Sequence, residues 1–135
     1  MKWSILDKFI YNFGGVFMIK REEILAYVKE KFDTDPDYPW FKYPDYAVLR
    51  HKDDGKWYGL IMNVPIIKLG LTGEGSVEIL DLKCDPGLNS LLRSQQGVLP
   101  AYHMNKKHWI TIVLNSYPHK EEIYNLINLS YDLTK

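Results

Sequence analysis

A single cysteine, Cys84, occurs among 135 residues. No disulfide can form within the chain, and a reducing compartment such as the cytoplasm is the expectation. The four histidines are scattered and lack the ligand spacing of a zinc site, so no metal and no cofactor is expected. No apolar run approaches the roughly 20 residues of a membrane-crossing helix. Neither sign of charge is in excess, because 17 lysines and arginines face 17 aspartates and glutamates. That balance counts against strong nonspecific binding to nucleic acid, which rests on a basic footprint. A nucleophile beside a base is lacking too. Ser130 has no elbow glycines around it, and Cys84 closes an alternating apolar segment as a core residue would. The expectation is a protein that is not an enzyme.

Aromatic rings are what the chain does have: ten tyrosines, five phenylalanines and four tryptophans. A domain of this size cannot bury them all, and exposed rings favour a binding surface. The length suits one domain, assigned to residues 18–135. Residues 1–17 (MKWSILDKFIYNFGGVF) read as a dispensable extension, because Met18 opens a segment that looks like a natural start. They make a poor secretory signal, with polar residues interrupting the apolar ones and no small-residue cleavage pattern.

Apolar residues at Ile24, Leu25, Val28 and Phe32 predict a helix over residues 21–32, with Glu22 and Glu23 at its electropositive start. Pro36, Pro39 and Pro44 then force an extended loop carrying Tyr38, Trp40, Phe41 and Tyr43. Residues 46–51 and 57–64 read as two strands joined at Asp53-Asp54-Gly55-Lys56, since Asp-Gly supplies the positive φ of a tight turn. Residues 65–76 form a loop whose Gly70, Gly73 and Gly75 lack the Lys-Ser/Thr of a phosphate cradle. Residues 77–84 make a third strand with Leu80, Leu82 and Cys84 on one face. Asp85-Pro86 signals a short helix with Leu88, Leu91 and Leu92, ending before Gly97. Residues 109–114 form a strand, and a last helix follows Pro118 as far as about Leu133 with Ile123, Leu126, Ile127 and Leu133 as its stripe. The order α-β-β-β-α-β-α implies an α+β fold: an antiparallel sheet of about four or more strands with helices on one face.

Two patches could carry function. In residues 102–109, Lys106 and Lys107 offer phosphate donors and Asn105 a base-edge or backbone partner. His103 and His108 add further donors, and Tyr102 and Trp109 offer stacking faces. The plainer alternative is a polar turn with solvated lysines. The second patch, Arg50-His51-Lys52 with Lys56 and Trp57, is partly neutralised by Asp53 and Asp54, as a solvated hairpin tip would be.

The runs Leu82-Lys83-Cys84-Asp85-Pro86, Pro100-Ala101-Tyr102-His103-Met104-Asn105-Lys106-Lys107-His108-Trp109 and Ser130-Tyr131-Asp132-Leu133, with Tyr38-Pro39-Trp40, resemble the MmcQ/YjbR family. The resemblance spans nearly everything from Met18 onward. It implies a CyaY-like (frataxin-like) α+β fold and a bacterial DNA-binding protein of the double-wing kind. The expected site is then Lys106, Lys107, Asn105, His103, His108, Tyr102 and Trp109, with Arg50 and Lys56 on the other wing. A competing expectation is a protein- or small-ligand-binding domain, with a pocket between residues 38–43 and residues 102–108.

Overall fold

The computed structural model describes residues 18–135; the reading of residues 1–17 as an extension lies outside them. Among the described residues three α-helices, α1 (Arg21–Phe32), α2 (Pro86–Leu92) and α3 (Lys120–Leu133), and a short 3-10 helix, Ile66–Leu69, accompany five strands. The strands are β1 (Ala47–Arg50), β2 (Trp57–Pro65), β3 (Ser76–Lys83), β4 (Val98–Pro100) and β5 (Trp109–Val113). They form one sheet in the order β1-β2-β3-β5-β4, with every neighbouring pair antiparallel. The α+β architecture is therefore as expected, with one strand more than the chain order foresaw. β4 is three residues long and ends on Pro100. A proline cannot donate to a ladder and is tolerated at such an edge.

Helix boundaries follow local chemistry. α1 buries Ile24 and Val28, one turn apart, and stops where Asp33 turns left-handed and sends its amide to the Lys29 carbonyl. α2 is capped by the Asp85 carboxylate, which accepts the Leu88 amide at 3.1 Å, with Pro86 in the first turn. α3 buries Ile123, Leu126, Ile127 and Ser130. Leu133, expected on that stripe, is 44% exposed. The buried line runs through Ser130 and Thr134 instead, because both hydroxyls find partners inside.

Side chains alternate across the sheet in aligned rows. Ala47, Ile61, Leu80, Ile112 and Val98 form one row, and Leu49, Gly59, Leu82, Ile110 and Pro100 the next. Their apolar members pack with Ile24, Val28, Ile123 and Ile127, so the helices cover this face. The opposite face carries the row Val48, Leu60, Asp81, Thr111 and Leu99, with Met62, Ile79 and Val113 beside it. It is buried too, under Trp40, Tyr46, Trp57, Leu71 and Tyr102 and under the short 3-10 helix Ile66–Leu69, rather than under an α-helix. A register shift between Leu49 and Arg50 places Trp57 on this loop-covered side while Tyr58 joins the helix side. Among the described residues no helix is long and apolar enough to cross a membrane.

Candidate functional site

The loop between α1 and β1 is built by its prolines and by two successive turns. The Tyr43 amide bonds to the Trp40 carbonyl at 3.2 Å, and the Tyr46 amide to the Tyr43 carbonyl at 3.1 Å. An isolated bridge between Asp37 and Val48 pins the loop to the sheet edge. The result sets three rings over the sheet. Trp40 meets Trp57 edge-on, with centroids 5.7 Å apart at 86°, and Tyr46 in the same way at 5.9 Å and 78°. Tyr43 stacks on Tyr46 at 4.6 Å. With Leu60 and Met62 as floor and His103 and Met104 on the far side, these rings line a half-open cleft of about 290 Å³. Its lining is mostly apolar.

The far wall belongs to residues 101–108, which join β4 to β5. His103 takes a left-handed conformation, φ 64°. The Tyr102 amide donates to the Thr111 hydroxyl at 2.8 Å, and the Lys106 ammonium to the Ala101 carbonyl at 2.9 Å. The Asn105 side-chain oxygen accepts the amides of Lys107 (2.9 Å) and His108 (3.1 Å). From α2, the Asn89 amide nitrogen reaches the carbonyls of Lys106, Lys107 and Trp109 at 3.3, 3.1 and 2.9 Å. Asn89 is thus a positioning residue for the loop. Nothing in its apolar neighbourhood, Leu88-Asn89-Ser90-Leu91, marked it beyond its being a polar residue within a helical stretch.

The expected patch residues are distributed unevenly. Lys107 and His108 are exposed, and their side chains form no hydrogen bond or ion pair among the described residues. Tyr102 is half-buried against the loop-covered core, its ring 3.9 Å from that of His103. Trp109 requires a correction. It is 9% exposed and carried inward by β5, so its ring belongs to the core and offers no stacking face. His51 does not join the second patch either: it is buried, with Nε2 2.7 Å from the Thr134 hydroxyl and its ring against Tyr131. Arg50 donates to Asp37 at 3.0 Å and to the Gly55 carbonyl at 3.2 Å, and lies over the Trp57 ring. Lys56 sits 3.8 Å from Asp54. The hairpin cations are therefore matched by carboxylates, whereas Lys107 is not.

The register brings both groups to the same end of the sheet. Arg50 pairs with Trp57, and Lys83 with Trp109. Trp57 and His103 accordingly line opposite sides of one cavity. Beneath the 101–108 loop lies a group that composition could not reveal. Asp81, fully buried in the centre of the sheet row, accepts the Thr111 hydroxyl through Oδ1, while Oδ2 has no partner. Burial pushes its carboxyl up to about 8, against the lowering effects of the Thr111 hydrogen bond and the Lys106 charge. Cys84, buried in the core on the helix-covered side, is likewise pushed up by burial, to about 11.

The chain is similar in sequence and fold to known proteins. A family model described as YjbR matches residues 29–133. The uncharacterized protein YyaQ of Bacillus subtilis is 57% identical over 118 residues, covering 87% of this chain and all of YyaQ. The uncharacterized protein YjbR of Escherichia coli K12 is 42% identical over 53 residues, 38% of this chain and 45% of that protein. A crystal structure of a Pseudomonas syringae protein superposes with a TM-score of 0.84 at 48% identity, over 87% of this chain and all of the other. A Deinococcus radiodurans structure matches with a TM-score of 0.66 at 25% identity, over 86% and 78% of the two chains. This chain belongs to the YjbR family.

Proposed function

We propose that the protein is a non-enzymatic binding module whose working element is the aromatic cleft, and that its ligand is a small molecule presenting a planar, apolar ring. The observation that carries this reading is the cavity of about 290 Å³ walled by Trp40, Tyr43, Tyr46 and Trp57 over Leu60 and Met62. Ligand sites are concave and mostly apolar, with a few polar groups at the edge. Here His103 supplies such a group. Edge-to-face and stacked contacts among the rings favour a further ring as occupant. The two nucleophiles weighed from the sequence serve the core: the Ser130 hydroxyl bonds the Tyr58 carbonyl, and the Cys84 thiol is held protonated at neutral pH. Their buried surroundings, and the lone buried cysteine in particular, support placing the protein in the cytoplasm. The test is fluorescence titration with N-phenyl-1-naphthylamine, a neutral aromatic probe. Wild type should bind it saturably, and Trp57→Ala should weaken binding at least tenfold; equal binding by both would remove the cleft from the account.

A second reading, binding to DNA, draws support from the exposed Lys107 and His108 at the sheet end they share with the β1–β2 hairpin. Lys106, Tyr102, His103 and Asn105 would contribute as loop residues. The carboxylate partners of Arg50 and Lys56 weaken the other wing. Salt-dependent binding that fails in a Lys106→Ala/Lys107→Ala variant would establish this reading.

A further inference from the structure

We infer that Asp81 and Lys106 form a proton-governed latch beneath the loop carrying His103 and Met104, so that the aromatic cleft holds its ligand more tightly with Asp81 protonated than ionised. The inference rests on the cleft reading above and adds a regulatory property to it.

The geometry is a short chain of contacts from sheet to cleft wall. Asp81 occupies the middle of the loop-covered face, between Leu60 on β2 and Thr111 on β5. Leu60 is part of the cleft floor. Oδ1 accepts a hydrogen bond from the Thr111 hydroxyl, and that same hydroxyl oxygen accepts one from the Tyr102 amide, so Asp81 helps to seat the start of the loop. Oδ2 is buried and unpartnered. Two residues beyond Tyr102 the wall residues His103 and Met104 have passed, and Lys106 folds back to hold the Ala101 carbonyl. Lys106 is also the charged group whose field reaches Asp81.

While the carboxyl keeps its proton, nothing in the sheet centre draws on Lys106, and the loop is closed by its bond to Ala101. When that proton leaves to water, a carboxylate with one orphan oxygen remains in an apolar interior, which is strongly unfavourable without a paired cation. Drawing the Lys106 ammonium inward relieves it, and the Ala101 carbonyl loses its donor. The stretch between those two residues is the cleft wall. Its seating therefore changes with the proton, and no covalent bond other than the carboxyl O–H is involved. The other titratable groups facing this region are His103 and Tyr102 on the loop and Tyr43 and Tyr46 across the cleft; directly beside Asp81, β2 and β5 present Leu60 and Thr111.

The test is titration with N-phenyl-1-naphthylamine at pH 6.5 and pH 9.5, since the probe carries no charge at either. Wild type should bind about tenfold more weakly at pH 9.5, which corresponds to about one unit between the carboxyl's titration in free and loaded protein. Asp81→Asn should bind as wild type does at pH 6.5 and show no weakening at pH 9.5. His103→Gln should keep the pH dependence, which separates the carboxyl from the imidazole. Equal wild-type affinity at the two pH values, or a pH dependence that survives Asp81→Asn, overturns the latch while leaving the cleft reading intact. Absence of probe binding by wild type at both pH values overturns both. Without any variant, the carbon-13 shift of the Asp81 carboxyl gives its midpoint directly; it should rise by about one unit on saturation with probe, and an unmoved midpoint overturns the latch.

Discussion

Trp40 stands edge-on to Trp57, ring planes at 86° and centroids 5.7 Å apart. One ring comes from a loop without regular structure and the other from the first residue of β2. Their meeting closes the sheet face that no α-helix covers. It also creates the concavity on which the functional reading depends. The same contact lets Trp40, Tyr43, Tyr46 and Trp57 pack on one another near the surface, while Phe41 of the same loop stays fully exposed.

Ser130 ties α3 to the sheet. Its hydroxyl donates to the Tyr58 carbonyl and accepts the Lys83 amide at 2.9 Å, so it spans two strands. Ser130→Ala leaves both groups without that partner and should cost about 1–3 kcal/mol in urea unfolding. Probe affinity should not change, because the cleft lies on the other face. A loss of stability below about 0.5 kcal/mol would show the bridge to be unimportant.

Gly97 and Gly55 both adopt positive φ, 80° and 74°, but differ in the space around them. A Cβ on Gly97 would lie 2.7 Å from the Tyr117 nitrogen and 2.9 Å from the Ser116 carbonyl carbon, whereas Gly55 faces open solvent. Gly55→Ala should cost about 1 kcal/mol from conformation alone, and Gly97→Ala at least about twice that, since backbone cannot yield. Thermal melts of the two variants decide the point; equal losses would contradict the packing argument.

Asp81 should make the protein less stable as pH rises. In the unfolded chain its carboxyl ionises near 4, while in the folded protein it keeps its proton up to about 8. Between these values the folded state binds more protons, so unfolding free energy falls with pH, by an amount on the order of a few kcal/mol. Urea denaturation at pH 5 and pH 8 should show wild type losing stability relative to Asp81→Asn. A constant difference between the two proteins would contradict the buried, protonated carboxyl.

For the DNA reading, Lys107 and its neighbours supply only about three phosphate contacts. The logarithm of the binding constant should then fall with the logarithm of salt concentration with a slope of about −2.7. Lys106→Ala/Lys107→Ala should reduce that slope by roughly two contacts. Identical slopes would show that the 102–108 segment does not touch the duplex.

Much of the architecture was legible because local signals agreed with one another. The Ile24–Val28 spacing, the Asp85-Pro86 cap and the Asp54-Gly55 turn each state one conformation, and tertiary packing did not override them. β4 escaped because three residues ending in proline carry too short a pattern to register. Its pairing partner lies on the far side of the functional loop. Two-sided burial was written in the unbroken run Leu60-Ile61-Met62 and in Trp109 to Val113, where every residue is buried. Trp109 and His51 were misplaced for the same reason: in short strands beside charged turns, one step of register decides whether a ring faces core or solvent. The pocket between residues 38–43 and 102–108 was foreseeable from two aromatic-rich loops. Its floor at Leu60 and Met62, and Asp81 beside it, required the sheet register.

The most direct measurement is an NMR map of bound N-phenyl-1-naphthylamine from intermolecular contacts. The account predicts contacts to the Met62 and Met104 methyls, to Leu60 and to the indole protons of Trp40 and Trp57. Contacts confined to the outer side of Lys107 and His108, or to the separate groove lined by Ile19, Asn63, Val77 and Asn115 at the opposite end of the sheet, would contradict it.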